Sequence, residues 1–447
     1  MFGSADFKYA TFEWDWGDIL GFSKTTFNGD AFFIYAYFKG PAHFVDTDFN
    51  GEAFFAGTTF AGEIASFHRT RFSRRTRGFG PLVSAGDVFL GDASFEGPVE
   101  LAVSAPKIIC LRTRWDSVTM RLRYASLDLT GATISASSTV LGHSSEFEMD
   151  EPISEQVLTE RHPDLVAAPK ISSLVGVDTA NLSLTGVDLS RCRFHGAYHL
   201  DQLRIEDCKF AETPDTLSWT RRKVLAEEHY WRAGEAHRNQ SPPRGWMSPP
   251  DAQTDPVVTV QETTKPAVLA ATYRQLRKSF EDAKNEPDAA DFYYGEMEMR
   301  RHDDGRPWAE RTLLSIYWAL SGYGLRASRA LLWLLFSMAL TVVLLMWVGL
   351  PAAPHGPRTQ GTVTAGHKID VTTESPDPGG RTPGPQRDRF SVERAKSAGL
   401  TTINSVIFRS AGQDLTLPGT YIEMTSRVVE PVLLALVLLA IRGRVKR

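Results

Sequence analysis

Phenylalanine recurs at Phe22, Phe27, Phe33, Phe38, Phe44, Phe49, Phe55, Phe60, Phe67 and Phe72, in steps that alternate five and six residues with a single seven. A helix turns every 3.6 residues and a strand alternates every two, so neither generates that spacing. A second series accompanies the first two positions earlier: Ala31, Ala36, Ala42, Thr47, Ala53, Thr58, Ala65 and Thr70. One large and one small residue per short segment is what a coiled chain needs if each segment forms one side of a coil. Coils stacked at the strand separation of about 4.8 Å leave room inside for one large and one small side chain per face. Of the 26 phenylalanines, 18 lie in residues 1–100, so the bias itself marks a repeat. Phe54, one place off the series, is expected to point outward with Asn50 and Glu52.

The pattern weakens at Ala93/Phe95, Val99/Leu101, Ala125/Leu127 and Ala132/Ile134. It returns at Ala180/Leu182, Val187/Leu189, Cys192/Phe194, Leu203/Ile205 and Cys208/Phe210. This small–x–Phe/Leu unit resembles the pentapeptide-repeat family over roughly residues 5–210. The resemblance implies a right-handed quadrilateral β-helix, mainly β in class, followed here by α-helical and transmembrane segments. It places Phe27, Phe33, Phe38, Phe44, Phe49, Phe55, Phe60, Phe67, Leu182, Leu189, Phe194, Leu200, Ile205 and Phe210 in the repeat core. The six-residue steps imply looser corners, where Gly29, Gly40, Gly51 and Gly62 supply a relaxed backbone. Two interruptions are expected, at about 73–88 and 137–175.

The basic stretch 68–87 carries Arg69, Arg71, Arg74, Arg75 and Arg77. A solvated outer face accounts for it; so does a patch for an anionic partner or lipid headgroup, since arginines on stacked coils would align. The net charge is −4 and the pI about 6.3, which gives no general case for nucleic-acid binding. Cys110, Cys192 and Cys208 are too few and too scattered for a disulfide framework or a zinc site. Cys192 and Cys208 occupy small core slots. The opening MFGSADFKYATF lacks the features of a signal peptide.

Beyond the repeat, Thr213 or Asp215 is placed to cap a helix over 211–238 that closes the solenoid. Residues 239–264 read as a Pro-rich linker. Residues 265–304 read as an αα-hairpin, in which Leu269, Tyr273, Leu276, Phe280 and Ala283 share one helix face and Pro287 starts the second helix. Its second helix offers Ala289, Tyr293 and Met297 for packing. Glu296, Glu298, Arg300, Arg301 and His302 read as a solvated charged face, as do Glu227, Glu228 and His229, with a binding role as the alternative. No cofactor, metal or catalytic constellation is indicated.

Residues 307–326 suit an interfacial helix. A charge-free run of 21 residues, 330–350, lies within a first transmembrane helix placed at 328–350. Arg326 and Arg329 precede it, which puts that end in the cytoplasm. Residues 351–390 hold seven prolines and six glycines and suggest a disordered external loop. An amphipathic segment follows at 391–420, then a second transmembrane helix at 421–441 and a basic cytoplasmic tail, 442–447. Two spans flanking such a segment are reminiscent of tetrameric cation channels, although a filter such as TVGYG is absent. Glu430 is a candidate membrane functional residue, at a pore or in a proton relay; the alternative is an outer-leaflet position reached by water.

The strings YRQLR (273–277) and FYYGEMEMRR (292–301) resemble a bacterial group of membrane-anchored pentapeptide-repeat proteins with a C-terminal hairpin. The expectation is a non-enzymatic plasma-membrane protein with its β-helix and C-terminus in the cytoplasm. Membrane lipid and an unidentified protein on the β-helix surface are the expected partners, homo-oligomerisation stays open, and nucleic acid is not expected. A channel-like oligomer gated by the solenoid is the alternative. A DNA-mimicking topoisomerase binder is the weakest reading, because such rods are acidic and this one is arginine-rich.

Overall fold

The computed structural model describes residues 3–13, 21–149, 152–214, 220–238, 245–249, 265–350, 358–364, 368–374, 389–407 and 415–445. They form two compact units, Met1–Arg306 and Pro307–Arg447.

The first unit opens with a parallel β-solenoid of about nine turns. In the early coils each side is a two-residue strand, such as Ala31–Phe32, Tyr37–Phe38, Ala42–His43 and Asp48–Phe49, and the strands stack into four parallel sheets. One column runs through Phe27, Phe49, Phe72, Phe95, Trp115 and Ile134. Successive rings in it lie 5.0, 5.2, 4.4 and 4.3 Å apart. Parallel columns hold Phe12, Phe38 and Phe60, Phe7, Phe33 and Phe55, and Phe22, Phe44 and Phe67. The large repeat residue is therefore buried, and each ring packs both on the coil below and edge-on to neighbouring sides. Phe54 stands half-buried outside, stacked on Phe32 at 4.8 Å.

The small position is not merely filler where it is threonine. Thr47, Thr58, Thr70 and Thr113 donate to the carbonyls of Phe22, Phe33, Phe44 and Leu90 at 2.6–2.7 Å. A hydroxyl can sit inside an apolar coil because each finds an acceptor there.

Gly51 and Gly62 do not serve as relaxed corners. Their φ values are not positive, and a Cβ on either would lie 2.3 Å from the backbone of Gly29 or Gly40. They let two coils touch. Left-handed corners are taken by Tyr9, Lys24, Tyr35, Asp46, Arg69, Asp92 and Arg112, and by other glycines such as Gly57 and Gly131.

Residues 73–88 are no interruption. Strand Gly78–Ser84 carries Phe79, Leu82 and Val83, all buried. Here and at Val99–Ser104 and Val118–Arg123 one long strand replaces two short sides, and the coil shortens from 23 to about 20 residues. The β-branched and Leu/Met alternation of VELAVS and VTMRLR favours an extended run over a corner. The second interruption is narrower than expected, because Ser138–Gly142 and Lys170–Ser173 remain in the sheets. The excursion between them includes α1 (Gln156–Arg161). It packs Phe147, Ile153 and Leu158 on the outward Val83 and Ala102. It also seats Glu155 against Arg123 and Ser104.

At the far end an antiparallel pair, Ala211–Glu212 with Lys223–Val224, precedes α2 (Ala226–Arg238). Thr213 pairs with Arg222 across that turn and caps no helix, and Asp215 falls outside the described residues. Most of the linker 239–264 also falls outside them, but Trp246 and Met247 pack on His229 of α2. Helices α3 (Pro266–Asp282) and α4 (Glu286–Arg301) form the hairpin, with Asn285 capping α4. Phe292 and Met299 are its most buried α4 residues, and Tyr293 is half-exposed.

The second unit contains α5 (Trp308–Ser321), α6 (Ala327–Leu344, extended by a π-turn to Gly349), α7 (Val392–Ile407) and α8 (Leu417–Val445). Ala327–Gly349 and Leu417–Ile441 are each long and apolar enough to cross a membrane. The second begins four residues earlier than expected, at Leu417. The two run antiparallel, with Ala330 packed among Leu433 and Val437 at one end and Gly349 against Gly419 at the other. Between them, the described part of 351–390 includes an antiparallel ribbon, Arg358–Thr364 with Lys368–Glu374, and most of the remainder of that expected disordered loop lies outside the described residues. The β-branched alternation of TQGTVT and KIDVTTE supplies the strands between Pro/Gly runs.

Candidate functional site

The five arginines of 69–77 do not form one patch. Arg69 belongs to a corner column in which Lys24, Asp46, Arg69, Asp92 and Arg112 follow coil upon coil with alternating sign. Arg69 grips Asp46 through two bonds of 2.5 and 2.7 Å, and Arg112 grips Asp92 at 2.8 and 2.7 Å. Those bonds hold both carboxyls below their usual range. Arg69 is thus neutralised as part of the wall. Arg75 and Arg77 are exposed but lie apart from any concavity described here.

Arg71 and Arg74 instead open onto a concavity of about 520 Å³. Its other polar lining is Ser94, Glu96, Arg114, Asp116 and Ser135. Arg71, Ser94 and Arg114 occupy one outward column, so the short Ser94 leaves a gap between two long guanidinium side chains. Arg74 donates to the Glu96 carbonyl at 3.2 Å, and the nearest acid to Arg71 is Asp48 at 3.9 Å. Arg114 has no ion-pair partner among the described residues. It lies 43 positions beyond Arg71 and escapes a search for a local basic run; only the coil length brings the two together.

Most of the charged residues read as solvated are buried, although Arg300, Arg301 and His302 are only half-buried. Glu227, Glu228 and His229 are at most 4% exposed, and Glu296 and Glu298 are also enclosed. The reason is pairing across elements. Glu228 takes Arg222 and Arg232 at 2.5 and 2.8 Å and the Tyr273 hydroxyl at 2.5 Å. Burial opposes its ionisation, but the two guanidiniums outweigh that and hold it down to about 2. Glu298 bridges Arg232 and Arg301, while Glu296 meets Arg274, Arg277 and Arg300. The two carboxylates, two residues apart on α4, face different partners. YRQLR on α3 and FYYGEMEMRR on α4 both belong to the hairpin: Arg274 and Arg277 meet Glu296 within it, while Tyr273 and Glu298 reach Glu228 and Arg232 of α2 at the solenoid end. Among the described residues Glu227 has no cation within bonding distance, and its carboxylate receives the backbone N–H of Phe194.

Cys110 and Cys192 are fully buried and Cys208 is half-buried. Burial pushes all three thiols up, so none is poised as a nucleophile. Among the described residues no group of His, Cys, Asp and Glu side chains is arranged to hold a metal.

In the second unit Glu430, near the middle of the candidate span Leu417–Ile441, is enclosed between α6 and α8. Thr341 donates to its Oε1 at 2.8 Å, and Oε2 has no hydrogen-bond partner among the described residues. Arg394 of α7 donates to the Met346 and Leu350 carbonyls and so closes the end of α6.

The fold and these sites define a parallel β-solenoid with a helical closure, joined in the chain to a unit with two candidate membrane spans. Comparison with protein-family models, with curated proteins and with solved structures finds no match to this chain.

Proposed function

We propose that the chain is a membrane-anchored protein of the pentapeptide-repeat type, non-enzymatic, whose solenoid is a cytoplasmic interaction or scaffolding surface. In this proposal the Arg71–Arg74–Arg114 concavity is where an anionic protein partner docks. The observation that carries it is the Arg71–Ser94–Arg114 column: two guanidiniums flank a small residue, and Arg114 has no counter-ion among the described residues. Guanidiniums so placed match carboxylate or phosphate groups on a partner. The basic ends of both spans, Arg326 with Arg329 and Arg442 with Arg444, support a cytoplasmic position for both termini. Crosslinking with mass spectrometry on native membranes tests the proposal. Neighbours attached near 71–116 in wild type should vanish in Arg71→Glu/Arg114→Glu, and identical neighbours in both would refute it.

A channel-like oligomer is the second reading, favoured by Glu430, whose Oε2 has no hydrogen-bond partner among the described residues and lies between two candidate spans. Planar-bilayer recordings decide it: conductance altered in Glu430→Gln supports it, and silence from both proteins removes it.

A further inference from the structure

Helices α5 and α6 enclose a groove of about 360 Å³ lined by Ala319, Arg329, Leu332, Trp333 and Phe336. Four of the five residues are apolar or aromatic, and Arg329 carries the only charge. It is the third residue of the candidate span Ala327–Gly349, an end that in the membrane-anchored reading lies where headgroups meet hydrocarbon. Its guanidinium lies 4.9 Å from the Trp318 ring centre and donates through Nη1 to the Trp318 carbonyl at 3.3 Å. No acidic side chain pairs with it among the described residues. Trp333 ties the two helices by donating from Nε1 to the Ala319 carbonyl at 3.2 Å. Leu332 and Phe336, one helical turn apart, remain 66% and 57% exposed.

We propose that this groove binds one anionic phospholipid, with its phosphodiester on Arg329 and an acyl chain along Leu332 and Phe336. The inference rests on the membrane-anchored reading above. A lone guanidinium calls for one anion, and its remaining N–H groups suit two phosphate oxygens. The apolar continuation along the lipid-facing side of α6 suits a chain attached to that anion and gives a soluble phosphate nothing to bury. The stacking of Arg329 on Trp318 and the anchoring of Trp333 hold the site open before the lipid arrives, which lowers the ordering cost of binding.

The test uses the full-length protein in phosphatidylcholine vesicles containing a trace of lipid with a photoactivatable acyl chain, either phosphatidylglycerol or phosphatidylcholine. Adducts are mapped by peptide mass spectrometry. In wild type the glycerol lipid should label 319–336 about fivefold more than the choline lipid, the size one basic residue contributes against anionic lipid. Arg329→Gln should bring the two probes level, and Arg329→Lys should retain most of the preference. Equal labelling in wild type overturns the proposal, as does a preference that survives Arg329→Gln. Competition by millimolar inorganic phosphate also overturns it, because the site would then serve a soluble anion. If Arg329→Gln fails to fold, the wild-type comparison and Arg329→Lys still decide. Carbonate extraction separates the two levels: release from membranes sinks the anchored reading itself, whereas retention without lipid preference sinks this inference alone.

Discussion

Glu227, in the first turn of α2, accepts a hydrogen bond from the backbone N–H of Phe194 in the late coils of the solenoid. A solenoid end exposes strand backbone that must be satisfied, and here a carboxylate does it. Burial pushes that carboxyl up to about 7 from an ordinary 4.5. The folded chain therefore binds this proton more tightly than the unfolded chain. The stabilisation is complete below pH 4.5 and is lost as pH rises towards 7, by about 3 kcal/mol in all. Glu227→Gln keeps the acceptor without titrating. It should match wild type near pH 4.5 and unfold at a higher temperature above pH 7. Thermal unfolding across that interval checks this, and a gap that stays constant with pH would refute it.

Phe49 and Phe54 differ by one register and should differ greatly in cost. Phe49 is enclosed between Phe27 and Phe72, so Phe49→Ala should destabilise by about 3–5 kcal/mol. Phe54→Ala loses one half-buried stacking partner, for about 1 kcal/mol. Urea unfolding followed by circular dichroism measures both, and similar losses would contradict the assigned faces.

Thr70→Val preserves shape but deprives the Phe44 carbonyl of its 2.6 Å donor inside the coil. An unsatisfied buried acceptor costs about 1–3 kcal/mol. The same unfolding assay should show that loss, and a neutral substitution would mean that the hydroxyl serves only as volume.

Gly419 meets Gly349 where α8 begins: a Cβ there would lie 2.4 Å from the Gly349 carbonyl oxygen. Gly419→Ala should spread the two helices and weaken the Thr416 bonds to the Val348 and Gly349 carbonyls, at about 1–3 kcal/mol. A lowered unfolding midpoint in detergent titration is the expected result; an unchanged midpoint would place the close contact elsewhere.

The solenoid was legible because its rule is local and repeats. Each Phe with its small partner at i−2 has the same task on every coil, and the charge-free run of α6 is equally local. Legibility failed where the rule changed but the fold did not. Phe79 and Leu82 sit on long strands, so five-residue counting loses them, although they bury the same interior. Gly51 and Gly62 show in sequence only that a side chain is missing. Whether that serves a torsion or a contact depends on the neighbouring coil.

By itself the sequence determined a stacked, Phe-cored coil, a helical pair and two apolar helices, since side-chain volume and hydropathy along the chain suffice for these. Tertiary structure alone decided the charged residues. Glu228 and Glu298 are buried because Arg222, Arg232 and Arg301 arrive from different elements, and Arg69 is neutralised by Asp46 one coil below. Arg114 faces the same gap as Arg71 because two coils separate them. A charge is paired or free according to what lies within a few ångströms, and linear spacing does not contain that distance.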